Sequence, residues 1–294
     1  MPNASVFAEI IAGLRNGDVV PYVGAGALSD VVNPTSGEPI PADSDSLILA
    51  MNNGNPMAPR LMYEFPRAAM NLELKRGRRF INQFLTKTYA ETPWTRAAVH
   101  EWLAACKPAY VIDINRDTQL QDSYREVPHT LIVGIARTSG KDYRFRIYAY
   151  DGARYQEIDQ ADLAPAQPIL FKPLGTPRPE PSFIASDADF VDYITELMGG
   201  FGIPDFLKTY RRGKRYLLLG LRLTRDTERM VFSEIIYGAG KPTAWALLPD
   251  ATPKEQRFCK KMGITIIQAT IADLLNCWQA EAEPSSPVQP KATG

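Results

Sequence analysis

Two rhythms of apolar residues alternate along the chain. Between Ser5 and Asn16, Phe7, Ile10, Ile11 and Leu14 recur at three- and four-residue spacings, which puts them on one face of a helix that Asn16-Gly17 stops. An unbroken apolar run, Val19-Val20-Pro21-Tyr22-Val23, then predicts a buried strand that breaks at once into Gly24-Ala25-Gly26. Helical spacing returns at Met62 to Met70, at Leu72 to Tyr89 and at Thr95 to Cys106, where Thr95 is the candidate N-cap. The β-branched stretch from Ala109 to Asn115 predicts a second strand, with a short helix through Thr118 to Tyr124 after it.

Farther on the period changes to two. Tyr143, Phe145 and Ile147 alternate with Arg144, Arg146 and Tyr148, and turn residues stand at Ser139-Gly140 and Asp151-Gly152, so His129 to Ile158 reads as an antiparallel meander. Its arginines and tyrosines, taken as exposed, either pair with another subunit or are ordinary solvated groups. Further strands are expected at Pro168 to Lys172, Arg215 to Leu221, Trp245 to Leu248 and Ile264 to Ile267. Helices are expected from Ser186 to Leu197, Asp226 to Ile236, Pro253 to Met262 and Ile271 to Trp278. Strands alternating with helices predict an α/β protein: a doubly wound, mainly parallel sheet with the β meander inserted in it. The expected organisation is a single domain over residues 1–280, with a Pro/Gly/Asn-rich loop or lid at 31–60, the β insertion at 129–160 and a disordered tail at 281–294.

Composition narrows the function classes. A chain of 294 residues can bury a substantial core, and its 33 basic and 33 acidic residues balance, so no global field draws it to nucleic acid or to a membrane surface. Nucleic acid is therefore disfavoured as a direct ligand. The one basic run, Lys75-Arg76-Gly77-Arg78-Arg79, reads as a solvated helix face. Cys106, Cys259 and Cys277 are odd in number and far apart, which excludes both a disulfide framework and a Cys-x-x-Cys zinc site and fits a reducing compartment. No apolar run approaches the roughly 18 to 20 residues of a membrane span, and no basic-then-apolar leader begins the chain. The expectation is a soluble, cytoplasmic protein. The histidines number two, His100 and His129, so few general bases are on offer. His100, beside Trp102, reads as a packed helix histidine.

Candidate chemistry concentrates at two strand ends. A strand that runs into a loop without side-chain bulk lets backbone amides approach a phosphate, although a tight turn has the same composition. The dehydrogenase fingerprint is incomplete, because Ser29 stands where its third glycine belongs and no acidic residue follows roughly 20 positions on. The second strand ends in Asn115-Arg116-Asp117, which places an amide and a carboxylate at the carboxyl end of the sheet, where open α/β sheets bind ligands. Asn115 suits a ribose hydroxyl or a positioned water. Asp117 suits orienting the loop or capping the next helix, and Asp113 reads as a strand-end carboxylate.

Four blocks occur in a familiar order: Gly24-Ala25-Gly26; Ile114-Asn115-Arg116-Asp117; Phe171-Lys172-Pro173-Leu174-Gly175-Thr176 with Ser186 to Ile194 after it; and Leu219-Gly220-Leu221-Arg222-Leu223. In these the chain resembles the prokaryotic sirtuin-like family, from about Phe7 to Trp278. The resemblance implies a Rossmann-type NAD-binding module akin to those that cut the nicotinamide glycosidic bond in bacterial anti-phage defence. By it, Gly24, Ala25 and Gly26, with Ser29 beside them, would cradle the diphosphate. Asn115 and Asp117 would stand near the nicotinamide ribose, and Gly220 would line the adenosine side. It also implies NAD as ligand or substrate, no zinc, and a homo-oligomer or a protein partner.

Three positions depart from the family pattern. Leu174 occupies the place of the catalytic histidine, Leu28 stands where a serine is expected with Ser29 one place late, and Asp113-Ile114 replaces a Thr-Thr pair. A leucine neither accepts a proton nor binds a ribose hydroxyl, and loss of a general base typically costs about 10²- to 10⁴-fold in rate. The leading expectation is a degenerate module that binds NAD or another ADP-ribosyl nucleotide with weak or no turnover. The alternative is an active NAD hydrolase, working within an assembly or with His129 or His100 in place of the missing base.

Overall fold

The protein is described by a computed structural model over residues 3–138, 142–163 and 167–282. The first helix, α1 (Ala4–Asn16), ends at Gly17 in the left-handed region and delivers the chain into β1 (Val19–Val23). Four helices follow before the next strand: α2 (Ser44–Met51), α3 (Phe65–Arg76), α4 (Arg78–Thr86) and α5 (Ala98–Cys106). Then come β2 (Tyr110–Asp113), α6 (Gln119–Ser123), β3 (His129–Gly134), β4 (Phe145–Tyr150), β5 (Tyr155–Glu157) and β6 (Ile169–Lys172). A small hairpin, β7 (Gly175–Thr176) with β8 (Ser182–Phe183), leads to α7 (Asp187–Gly199) and α8 (Asp205–Tyr210). The chain closes with β9 (Arg215–Leu219), α9 (Asp226–Ile235), β10 (Ala244–Leu247), α10 (Pro253–Met262), β11 (Ile264–Ile267) and α11 (Ile271–Ala282).

Nine strands form one sheet in the order β11-β10-β9-β1-β2-β6-β3-β4-β5. All neighbours are parallel except β3–β4 and β4–β5, so the α/β, Rossmann-like expectation holds. Alternate residues of each central strand enter opposite layers of the core. Tyr22, Ile112, Phe171 and Leu218 pack on one face, and Val23, Val111, Leu170 and Leu219 on the other. A third apolar cluster joins α2, α3 and α4 to Leu28, Val31 and Phe183, covering the carboxyl end of the sheet. Successive strands run outward from β1 in one direction through β2 and in the other through β9, so the topological switch point lies between β1 and β9.

Several local expectations are corrected. The helix expected over Leu72 to Tyr89 is two helices, because Gly77 sits at φ +81 and breaks it between α3 and α4. Arg78, first in α4, turns inward onto Asp189 and the Phe183 carbonyl, so the basic run is not wholly a solvated face. Thr95 caps no helix: its hydroxyl accepts the Val32 amide and its own amide donates to the Val32 carbonyl, and Asp30 accepts the Ala98 amide at the start of α5 instead. The meander is inserted in the main sheet as expected, since β3 pairs in parallel with β6 and antiparallel with β4. Two of its residues taken as exposed are buried: Arg144, paired with Asp192, and Tyr148. The turn at Ser139-Gly140 and the tail from residue 283 lie outside the described residues.

Candidate functional site

The glycines after β1 are needed by a close approach of two backbones. The Gly24 amide donates to the Leu219 carbonyl at 2.9 Å and the Gly26 amide to the Gly220 carbonyl at 2.8 Å. Gly220 has φ +68, and a Cβ there would lie 2.2 Å from the Ala27 nitrogen, while a Cβ on Gly26 would lie 2.9 Å from the Gly220 Cα. The loops after β1 and β9 are thus zipped together at the switch point, with both glycine amides engaged by protein carbonyls. Of this turn it is Ala25 that lines the adjoining cavity; Gly24, Gly26, Ser29 and Gly220 do not, and Ser29 is exposed.

The segment after β2 sends its side chains to two places. Asp113, with no exposed surface, accepts from Lys172 Nζ at 2.7 Å and from the Asn115 amide at 2.9 Å, and lies 3.5 Å from His100 Nε2. Burial alone would raise its pKa, but the Lys172 charge, followed by His100, brings it down to about 2. Asn115 Nδ2 donates to the Gly24 carbonyl at 3.0 Å, tying the two strand-end loops to each other. Asp117 accepts the Gln119 amide at 2.7 Å, the loop-orienting contact expected of it. Its other oxygen is buried without a hydrogen-bond partner, and burial raises its pKa.

Arg116 turns the opposite way from Asp113. Its Nε and Nη2 donate to the Ile184 carbonyl at 2.9 and 2.6 Å, and the guanidinium lies over the rings of Phe65 and Phe190 at 5.2 and 6.0 Å. Only 8% of the residue is exposed, and burial lowers its pKa to about 10. It forms no salt bridge among the described residues.

Ala25, Asn115, Arg116, Leu174, Arg225 and Glu228 enclose a cavity of about 50 Å³, closed over by Ser44 and Leu47 of α2, Phe65 of α3 and Tyr89. That volume holds a few waters or a group the size of a phosphate, since one water occupies roughly 10–15 Å³ measured this way. The donors suit an anionic nucleotide chemically, but a complete dinucleotide does not fit the enclosed space in this conformation. The Glu228 side chain forms no hydrogen bond among the described residues, and desolvation, with Glu64 adding to it, raises its pKa to about 7. Neither histidine lines the cavity. His100 packs beneath Asp113, and His129, at the amino end of β3, bonds to the Val127 carbonyl and the Tyr155 hydroxyl, its pKa lowered to about 4 by burial. Arg225, Glu228 and Tyr89 carried no sequence motif; only the folding of α9, and of the turn after α4, over the strand ends brings them to Asn115.

Among the described residues no group of three or more His, Cys, Asp or Glu side chains is arranged to hold a metal ion, and no helix is long and apolar enough to cross a membrane. No curated protein matches this sequence significantly. The family model described as SIR2-like domain matches residues 111–267, just over half of the chain, from β2 through β11. With a mainly parallel sheet and a strand-end site of this form, the protein belongs to the SIR2-like domain family.

Proposed function

We propose that the protein binds NAD or a related ADP-ribosyl nucleotide at the carboxyl ends of β1, β2 and β9, with slow turnover or none. The observation that carries this reading is the hydrogen bond from Asn115 Nδ2 to the Gly24 carbonyl, which joins two loops distant in sequence at the rim of the cavity. Entry of a nucleotide requires α2 and α3 to move outward. Leu174, in the place of the family histidine, supports the low-turnover form, because the cavity offers neither histidine as a base. The retained Asn115 favours a second reading, an NAD glycohydrolase active only within an assembly. A role in anti-phage defence, with a second copy or another cytoplasmic protein as partner, rests on family resemblance alone.

Calorimetric titration with ADP-ribose and NAD, together with an assay for free nicotinamide, separates these readings. Saturable binding that is lost in Asn115→Ala, with little nicotinamide released, is the expected result. Leu174→His is expected to raise nicotinamide release by at least about 10²-fold, the lower end of what a general base contributes. Absence of binding to either nucleotide overturns the proposal.

A further inference from the structure

Several partly buried arginines of this protein are met by carboxylates, whereas Arg211, like Arg116, donates to backbone carbonyls and lies over an aromatic ring. Arg144 pairs with Asp192 at 2.8 Å, Arg137 with Glu73 at 2.7 Å, and Arg78 with Asp189. Arg116 is more deeply placed than Arg78 or Arg137, yet its partners are one carbonyl and two ring faces, and its Nη1 has no hydrogen-bond partner among the described residues. Asp189 cannot serve it, being saturated by Arg78, Arg137 and the Ala185 and Ser186 amides. A buried charge without its countercharge is strongly unfavourable, which makes the Arg116 pocket a place where an entering anion stabilises the fold.

We infer that the inner end of the cavity is a site for a compact dianion of the phosphate type, held by Arg116 with Arg225 beside it, and that Glu228 takes up one proton from solvent as the anion enters. This deepens the nucleotide reading and rests on it for the identity of the whole ligand: the group that reaches Arg116 is a phosphate of the nucleotide, not the cationic nicotinamide ring. The volume of about 50 Å³ matches such a group. The charge balance requires the proton. Glu228 lines the cavity with Arg116 and Arg225, and within electrostatic reach of it are Glu64 at the start of α3, Asp43 at the start of α2, and Tyr22 of β1. Ionised, it is the nearest unsatisfied countercharge for Arg116 and repels an incoming anion; protonated, it yields that role to the anion and offers a hydroxyl donor. Its pKa near 7 in the empty cavity puts this exchange within the ordinary pH range.

The test uses sulfate as the probe, because sulfate keeps its double charge between pH 6 and 8. Calorimetric titration of the full chain in two buffers of different ionisation enthalpy reads both affinity and protons taken up. The expected result is saturable binding about tenfold tighter at pH 6 than at pH 8, with net proton uptake at pH 7. Glu228→Gln should bind at both pH values without proton uptake, and Arg116→Gln should not bind. Arg116→Lys, which keeps the charge and guards against a folding defect, should bind weakly with proton uptake retained. No saturable binding by the wild type, binding unchanged in the Arg116 variants, or proton uptake unchanged in Glu228→Gln overturns the inference. ADP-ribose binding that sulfate does not compete with sinks the anion site and leaves the nucleotide reading standing. Sulfate binding with proton uptake but no nucleotide binding does the reverse.

Discussion

Asp113 and Arg116 sit three residues apart on one strand end, and both are buried, yet the fold treats them in opposite ways. Asp113 is answered on its own face of the sheet by Lys172, by the Asn115 amide and, at longer range, by His100. Arg116, on the other face, meets a carbonyl and two aromatic rings. In the first cluster the charges of Asp113 and Lys172 pair within the chain and hold β2 to β6, although both ring nitrogens of His100 are left without a hydrogen-bond partner among the described residues. The second is incomplete, and it faces the cavity. Burial of charge is therefore not by itself a sign of function in this protein; what separates the two places is whether the countercharge belongs to the chain.

That contrast can be broken by substitution. The largest effect is expected from Lys172→Met, which strands the Asp113 carboxylate and should cost about 3–5 kcal/mol in urea unfolding. Adding Asp113→Leu to it should recover stability to within about 1–3 kcal/mol of wild type, the residue of the loss being the Asn115 amide left without its acceptor. A double variant no more stable than Lys172→Met would show that the pair is not the unit described here. Arg116→Met should change unfolding stability by less than about 1 kcal/mol, because relief of a buried cation without an ionic partner offsets the loss of its hydrogen bonds to the Ile184 carbonyl, while binding of anions disappears. A loss as large as that of Lys172→Met would erase the distinction between the two clusters.

The smallest expected effect is on pH dependence. Glu228 titrates higher in the folded chain than in the unfolded one, so the native state holds the extra proton and stability falls as pH rises from about 4.3, the unfolded value, toward about 7. Asp113 has the opposite sign: its contribution is present above about 3.9 and is lost as pH falls toward 2. Melting temperature measured from pH 5 to pH 8 should therefore decline less in Glu228→Gln than in wild type. Equal slopes would remove Glu228 from the account.

Much of the fold is legible in local patterns. The apolar runs at Val19 to Val23, Tyr110 to Ile112 and Tyr216 to Leu219 can only be buried strands, and the intervening helical spacings force a parallel sheet. Asn115 is legible as a strand-end residue, and the structure places it on the cavity wall. Arg116 was not legible, since beside Asp117 it looks like half of a surface ion pair. Only the fold shows Asp117 turned to the Gln119 amide and Arg116 carried inward to Ile184. Glu228 was illegible for the same reason. On α9 it reads as an ordinary polar position, and its place on the cavity wall is set by α2 and α3, more than 150 residues earlier in the chain. The break at Gly77 escaped because apolar spacing continues on both sides of it, and the left-handed φ that stops α3 belongs to tertiary anchoring by Arg78.

The most direct measurement is a crystal structure of the protein with ADP-ribose bound. The nucleotide is expected to lie across the carboxyl ends of β1 and β9, in contact with Ala25, Asn115 and Arg116, with α2 and α3 displaced outward to admit it. ADP-ribose bound on another face, with the Arg116 cavity closed as before, would contradict this placement.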